Sequence, residues 1–151
     1  MKKLSAFTLT AVALIGLTLS AGSVSAADTS NAKCPVSGRA VDADASADHN
    51  GGTVWFCCGK CQAAFEKNSA KFTTKANHQL VMTGQASQKK CPISGGKTKA
   101  ATALAVGGVD VTFCCNKCRG RVNDATGDAQ LDLVYGAKAF GKGFTVAAGS
   151  E

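Results

Sequence analysis

The segment W-F-C-C-G-K-C, residues 55–61, places three cysteines within five positions. Residues 113–118 read F-C-C-N-K-C, so the same arrangement occurs a second time. Thiolate sulfur binds soft metal ions, forms disulfides and carries out thiol redox chemistry. The chemistry of this chain therefore depends on what these sulfurs bind.

An internal duplication organises the cysteines. Each of four positions recurs 57 residues later, and K-C-P-V-S-G at the start of one copy matches K-C-P-I-S-G at the start of the next. The first set is Cys34, Cys57, Cys58 and Cys61, and the second is Cys91, Cys114, Cys115 and Cys118. Self-similarity at a fixed offset is typical of repeated structural units. We predict module 1 at residues 33–83, a linker at 84–89 and a diverged module 2 at 90–146.

Each copy must contain elements that bring its cysteines together. Apolar alternation surrounds a glycine-containing turn at residues 50–52 and again at 107–108, which predicts two β-hairpins. Good helix formers follow the first cysteine group, and Phe72, Ala76 and Leu80 continue a helical stripe. Each module is thus predicted to contain a cysteine-bearing turn (the knuckle, residues 34–38 and 91–95), a hairpin and a helix. The predicted fold class is α+β, with two tandem small modules like a treble clef or zinc ribbon.

Metal binding is the interpretation that best accounts for this pattern. A knuckle, a strand end and a helix start supply the ligands of small zinc sites. All eight cysteines are candidate ligands, with about one Zn, Cu(I) or heavier soft ion per module. The knuckle carries Ser37 where a second ligand usually stands, and the doubled cysteine can replace it. Whether Cys57 or Cys58 points at the metal stays open, because neighbouring strand residues face opposite sides.

The electrostatic expectations concern residues beside the cysteines. Helix amides and Lys60 or Lys117 are expected to stabilise the thiolates. His49 and His78 have no histidine counterpart in the second copy, so we predict that both lie on the surface. The acidic residues Asp42, Asp44 and Asp48 are predicted to form a solvated loop.

Two other functions remain open at this point. An even number of cysteines in an exported chain also suits a disulfide-stapled scaffold or interaction protein. The sequences Cys58-Gly59-Lys60-Cys61 and 115–118 are both C-x-x-C, which suits thiol redox chemistry, although the flanking hairpin differs from a thioredoxin context. No serine–histidine–acid set or phosphate loop is apparent, and we expect a protein that is not an enzyme.

The first residues predict export. A basic start, the apolar run 6–19 and V-S-A at 24–26 are typical of a secretory signal peptide, which we place at residues 1–26. We therefore expect a periplasmic or extracellular protein without stable membrane insertion after cleavage. The net charge of +7 comes from scattered lysines and arginines, and it does not indicate nucleic-acid binding. The expected partners are metal ions and an envelope metal transporter or another envelope protein.

These residues also resemble a known class of domain. The knuckle at 34–38, the run V-W-F-C-C at 54–58, Cys61 and Phe65 are similar to YHS and TRASH-type metal-binding domains. The TRASH pattern, one cysteine and later C-x-x-x-C, matches Cys34, Cys57 and Cys61, and it recurs at 91, 114 and 118. The resemblance implies a treble-clef-like fold and a role in heavy-metal sensing, trafficking or resistance. The second copy departs from it at Thr112 and Val122.

Overall fold

The computed structural model describes residues 27–147. The predicted signal peptide at residues 1–26 lies outside the described residues. The fold is α+β, as predicted, and it is built from small hairpins and short helices. The strands are β1 (Asp42–His49), β2 (Gly52–Phe56), β3 (Ala86–Gln88), β4 (Lys99–Val106), β5 (Val109–Phe113) and β6 (Phe144–Val146). The helices are α1 (Gly59–Lys67), α2 (Thr73–Met82), α3 (Asn116–Asn123), α4 (Gly127–Tyr135) and α5 (Ala137–Gly143), with a 3-10 turn at Ser69–Phe72.

Both predicted hairpins are present. Strand β1 pairs antiparallel with β2, and β4 pairs in the same way with β5. The turn residues all have positive φ: 51° at Asn50, 83° at Gly51, 62° at Gly107 and 85° at Gly108. This backbone matches the right-handed twist of the two strands, and it needs glycine or asparagine because a larger side chain is strained there. Each hairpin therefore forms for a local reason that the sequence contains.

A helix follows each hairpin and closes the module over its core. Phe65 of α1 and Val122 of α3 are buried against the hairpins. The predicted stripe is confirmed in α2, where Ala76 and Leu80 are fully buried. The second copy also forms its helix, because Val122 fills the place of the larger Phe65.

The acidic residues predicted to form a loop lie in a strand, so that prediction was wrong. Asp42, Asp44 and Asp48 are exposed residues of β1. The register of β1 against β2 shifts between Asp42 and Ser46. Charged residues are uncommon in strands, but β1 tolerates these three because each of them is exposed to solvent.

A glutamine side chain covers the outer edge of the second strand in each hairpin. Gln79 of α2 accepts from the Trp55 amide at 2.7 Å and donates to the Trp55 carbonyl at 2.8 Å. Gln88 of β3 accepts from the Thr112 amide at 3.0 Å and donates to its carbonyl at 2.6 Å. Edge groups that would otherwise be open to another chain are thereby paired within the molecule.

The two modules pack against each other. The segment predicted as a linker, 84–89, contains β3, which pairs antiparallel with β6 at the far end of module 2. Asn77 of α2 donates to the Tyr135 carbonyl of α4 at 2.8 Å, and Lys75 forms a salt bridge of 3.2 Å with Asp128. Buried residues of both modules, including Leu80 and Tyr135, belong to one apolar cluster. The two modules therefore share one hydrophobic core within the described residues.

No helix in residues 27–147 has both the length and the apolar character needed to cross a membrane.

Candidate metal centres

Each module brings three cysteine sulfurs together. The Sγ atoms of Cys34, Cys57 and Cys61 all lie within 4.8 Å of one another, and so do those of Cys91, Cys114 and Cys118. The Cys57–Cys61 and Cys114–Cys118 Sγ–Sγ distances are both 3.6 Å. Zn–S bonds of about 2.3 Å place ligand sulfurs about 3.8 Å apart in a tetrahedral site. The triads are thus close to the spacing that one shared ion requires.

Local backbone structure explains why the first triad forms. The knuckle is a tight turn in which Cys34 donates its amide to Arg39 at 2.8 Å and accepts from Gly38 at 2.8 Å. Strand β2 ends at Phe56, which delivers Cys57 beside the knuckle. Cys61 lies in the first turn of α1. Three elements that are separate in sequence therefore converge on one point.

The second triad is built in the same way. Cys91 donates its amide to Gly96 at 2.9 Å and accepts from Gly95 at 2.7 Å. Cys114 follows the end of β5, and Cys118 lies in the first turn of α3. Cys34 and Cys91 are 1% and 0% exposed, whereas the other triad members are partly exposed. A buried sulfur thus anchors each site, and an ion can reach it from the solvent side.

The second cysteine of each doubled pair stands beside its triad. Cys58 and Cys115 have extended backbones and cap the N-termini of α1 and α3. The Cys58 Sγ is 3.8 Å from that of Cys57, and the Cys115 Sγ is 3.6 Å from that of Cys114. Neither belongs to the set of sulfurs that all lie within 4.8 Å. The structure therefore places the first cysteine of the pair in the triad and the second within reach of it.

The knuckle serines contact the ligand sulfurs. Ser37 Oγ lies 3.1 Å from the Cys57 Sγ, and Ser94 Oγ lies 3.1 Å from the Cys114 Sγ. A hydroxyl that donates to a thiolate stabilises its charge and fixes its direction. The serine at the usual ligand position thus supports a ligand in this structure.

Arg39 provides a cation at the first triad. Its Nη2 donates to the Cys57 Sγ at 3.5 Å. The sequence predicts lysines in this role, but no side-chain nitrogen of Lys60 or Lys117 is hydrogen-bonded to a cysteine sulfur within residues 27–147. These lysines act instead through their backbone amides, which help to lower the pKa of Cys58 and of Cys115. The repeat does not indicate Arg39, because its counterpart in the second copy is Gly96 and the repeat is recognised from shared residues. The difference between the two copies at this position is the sequence feature that could have pointed to Arg39.

The proton distribution of the metal-free sites follows from these contacts. Burial raises the pKa of Cys34, but hydrogen bonds from the side chain and backbone of Ser37 outweigh burial, so the net pKa is lowered. Ser37 and Arg39 lower the pKa of Cys57. Desolvation and the neighbouring Cys57 and Cys58 raise the pKa of Cys61 to about 12.

Module 2 shows the same division. The pKa of Cys91 falls to about 7, because hydrogen bonds from Ser94 and nearby amides outweigh its burial. Desolvation and the neighbouring cysteines raise the pKa of Cys118 to about 12. The helix cysteine of each triad thus keeps its proton at neutral pH, and an incoming ion must displace it.

The histidines are not on the open surface, so that prediction was wrong. His49 is partly buried, with its Nε2 3.0 Å from Asn77 Oδ1 and its ring against Phe65. His78 Nε2 is 2.9 Å from the Gly107 carbonyl, and its ring packs 4.7 Å from that of Tyr135. His49 packs within module 1, whereas His78 contacts module 2, and neither ring is in a cysteine triad.

All eight cysteines have free thiols in the structure. The prediction that every one of them binds metal stays a prediction: six form the triads, and Cys58 and Cys115 lie beside them. Comparison with known proteins gives no match to a family model, a curated protein or a solved structure. The geometry of the two triads is therefore the basis for assigning a function.

Proposed function

We propose that this protein binds soft metal ions without catalysing a reaction, with one ion at each cysteine triad. The observation that carries the proposal is the convergence of three sulfurs within 4.8 Å in both modules. A hydroxyl directed at one sulfur of each triad supports it, because hydrogen bonds to ligands orient them and tune their basicity.

The donor set defines the class of ion. Three thiolates suit Cu(I) and other thiophilic ions, and they suit Zn(II) when a fourth ligand completes a tetrahedron. We propose Cys58 and Cys115 as that fourth ligand, because the sulfur of each is within 4 Å of a triad sulfur. One triad can thus hold three-coordinate or four-coordinate ions.

The physiological role that we propose is buffering or delivery of metal in the cell envelope. The predicted signal peptide at residues 1–26 and the resemblance to YHS and TRASH-type domains support this role. Partial exposure of two sulfurs in each triad also supports it, because a carrier must exchange its ion with a donor or a transporter. The expected protein partner is an envelope metal transporter or another envelope protein.

Intact-mass measurement tests the binding proposal. Reduced protein is given Zn(II) or Cu(I) and weighed under native and denaturing conditions, with and without alkylation. We expect two ions per chain under native conditions and eight alkylated thiols after chelation and denaturation. Cys57→Ser/Cys61→Ser should reduce the stoichiometry to one ion, and so should Cys114→Ser/Cys118→Ser. The helix-surface variant Gln62→Ala is the matched control and should retain both ions.

The alternatives give different masses. Protein isolated from its native compartment could have no bound metal and a mass eight hydrogens lower, which corresponds to four disulfides. That result would contradict metal binding and support the disulfide-stapled scaffold. Turnover of a dithiol substrate that disappears in Cys58→Ser, while the fold is retained, would instead support the redox function.

A further inference from the structure

The two triads differ in whether a charged side chain contacts a candidate ligand sulfur. Arg39 Nη2 lies 3.5 Å from the Cys57 Sγ in module 1. The residue at the same place in module 2 is Gly96, which has no side chain to offer. The contact with serine is the same in both modules, at 3.1 Å. Site 1, the triad of module 1, therefore has a cation that site 2, the triad of module 2, does not have from this position.

The backbone at the two positions is equivalent. The Arg39 carbonyl accepts from the Cys34 amide at 2.8 Å, and the Gly96 carbonyl accepts from the Cys91 amide at 2.9 Å. This bond closes the knuckle in both copies, so it fixes where residue 39 or 96 begins its side chain. The difference between the sites is consequently a difference of side chain, and it can be exchanged by mutation.

Other basic side chains near site 2 donate to backbone carbonyls, one of them in the site 2 knuckle, rather than to a sulfur. Lys142 Nζ donates to the Ile93 carbonyl at 3.1 Å, and Arg119 Nε donates to the Ala103 carbonyl at 3.2 Å. Lys60 and Lys117 occupy matching positions in the two modules, so their effects on the two sites are similar. Arg39 is the residue whose charge is directed at a sulfur.

We propose that Arg39 makes site 1 selective for monovalent soft ions, such as Cu(I) or Ag(I), over divalent ions, relative to site 2. The proposal rests on the metal binding proposed above. A positive charge repels a bound ion in proportion to the charge of that ion. Because the metal–sulfur bond is about 2.3 Å long and the Arg39–Cys57 distance is 3.5 Å, an ion on Cys57 lies within about 6 Å of the guanidinium. Divalent ions therefore lose more affinity than monovalent ions.

The ratio of two affinities isolates this effect. Arg39 also favours the thiolate form of its neighbour, but that influence acts equally on any ion that binds the same sulfurs. Its effect through Cys57, the sulfur that Arg39 contacts and that both ions bind, cancels when the Zn(II) affinity is divided by the Cu(I) affinity at one pH. For an exposed guanidinium at this distance, we expect the ratio at site 1 to be about five- to tenfold lower than at site 2.

Single-site chains allow the ratio to be measured. Full-length protein with Cys114→Ser/Cys118→Ser keeps site 1, and protein with Cys57→Ser/Cys61→Ser keeps site 2. The buried anchors Cys34 and Cys91 are left intact in both. Zn(II) and Cu(I) affinities are measured anaerobically by competition with a chromogenic chelator, at low and high ionic strength.

Exchange of the two residues is the decisive comparison. Arg39→Gly should raise the Zn(II)/Cu(I) ratio of site 1 about five- to tenfold, and Gly96→Arg should lower that of site 2 by a similar factor. Arg39→Lys keeps the charge and should keep most of the selectivity. High salt should reduce all of these differences, because it screens exposed charges.

A second readout uses the chain with all its cysteines, in case the serine variants fold poorly. One equivalent of Ag(I) is added together with two equivalents of Zn(II), zinc is then removed with a chelator, and peptide mapping identifies the thiols that Ag(I) protects from alkylation. Because Zn(II) competes less well at site 1, Ag(I) should protect Cys57 and Cys61 before Cys114 and Cys118, and Arg39→Gly should remove this preference. Metal binding at both sites with a ratio and an order unaffected by Arg39 would overturn this inference alone. No metal at either site would overturn the proposed function as well.

Discussion

At the scale of single residues, the knuckle serines decide how well each triad is prepared for an ion. Ser37 and Ser94 hold an oxygen 3.1 Å from a ligand sulfur. Because the hydroxyl rotates to suit its partner, it can donate to a thiolate without competing for the ion. We therefore expect the serine to affect metal affinity without being a ligand.

Replacement of Ser37 by alanine tests this role. We expect Ser37→Ala to weaken Zn(II) binding at site 1 by about tenfold, since loss of a hydrogen bond to a ligand typically has this effect. Competition with a chromogenic chelator measures the affinity, and site 2 in the same chain is the internal reference. The exposed Ser87 provides a control, and Ser87→Ala should leave both affinities unchanged. An unchanged affinity in Ser37→Ala would mean that the hydroxyl is only a neighbour.

The two histidines predict a pH dependence of stability. Burial lowers the pKa of His49 and of His78 below 6.5 in the folded chain. As the pH falls, the histidines of the unfolded chain bind protons before those of the folded chain do. The stabilisation that comes from keeping both rings neutral is therefore fully present above pH 6.5, and it is lost as the pH falls through the folded pKa values. We expect the reduced, metal-free protein to lose about 1 kcal/mol between pH 7 and pH 5.5 from these groups. Urea unfolding at the two pH values measures the loss.

The matched variant for this experiment is His49→Gln/His78→Gln. It keeps polar atoms near Asn77 and Gly107 but does not titrate in this range. The drop in stability between the two pH values should become smaller in the variant. An equal drop in both proteins would assign the pH dependence to other groups.

At the scale of elements, two glutamines show how different positions serve the same need. Gln79 and Gln88 each pair with both backbone groups of one strand residue, Trp55 and Thr112 respectively. Trp55 and Thr112 are equivalent in the repeat, whereas the glutamines are not. The unpaired backbone groups at the hairpin edge thus require a side-chain amide at that place. The amide comes from α2 in module 1 and from β3 in module 2, because these elements lie next to the edge.

Loss of either glutamine should destabilise the fold by a similar amount. We expect Gln79→Ala and Gln88→Ala to lower the free energy of unfolding by about 2 kcal/mol each, because backbone groups lose their partners. Urea unfolding measures the change. Gln62→Ala, which removes a glutamine from the surface of α1, should change stability by less than about 0.5 kcal/mol. Equal effects of all three variants would contradict the role of the edge.

At the scale of the whole molecule, the modules depend on each other. Strands β3 and β6 pair across the described chain, and α2 packs against α4. The Asn77 side chain joins the modules, because its amide donates to Tyr135 while its oxygen is 3.0 Å from His49 Nε2. A shared core of this kind predicts that both modules unfold together.

Two probes test this cooperativity. Fluorescence of Trp55, the single tryptophan of the chain, reports on module 1, and alkylation of the buried Cys91 reports on module 2. We expect the two urea transitions of the metal-free protein to coincide. Asn77→Ala should shift both midpoints down together, by about 2 kcal/mol in stability, since it leaves buried polar groups without partners. Separate transitions, or a shift in module 1 alone, would mean that the modules fold independently.

Much of the local structure could be predicted from the sequence. The Asn-Gly and Gly-Gly turns require positive φ, so residues 50–51 and 107–108 identified the hairpins. The stripe through Ala76 and Leu80 identified α2. The prediction failed for β1, where exposed aspartates concealed a strand whose pairing depends on β2. The sequence also did not predict helices α4 and α5 near the end of module 2, because they are stabilised by contacts with module 1.

The sequence by itself determined that the chain carries two copies of one cysteine module, because a fixed offset and local turn chemistry need no knowledge of distant contacts. Only the tertiary structure decided which sulfurs meet. Cys57 rather than Cys58 joins Cys34, and Cys114 rather than Cys115 joins Cys91, since each strand ends just before the first cysteine of the pair and the second cysteine is the N-cap residue of the helix. The structure also shows that Arg39 lies beside the triad of module 1, whereas Gly96 occupies the equivalent position in module 2. Such differences arise from convergence of distant segments in space, which spacing along the chain does not specify.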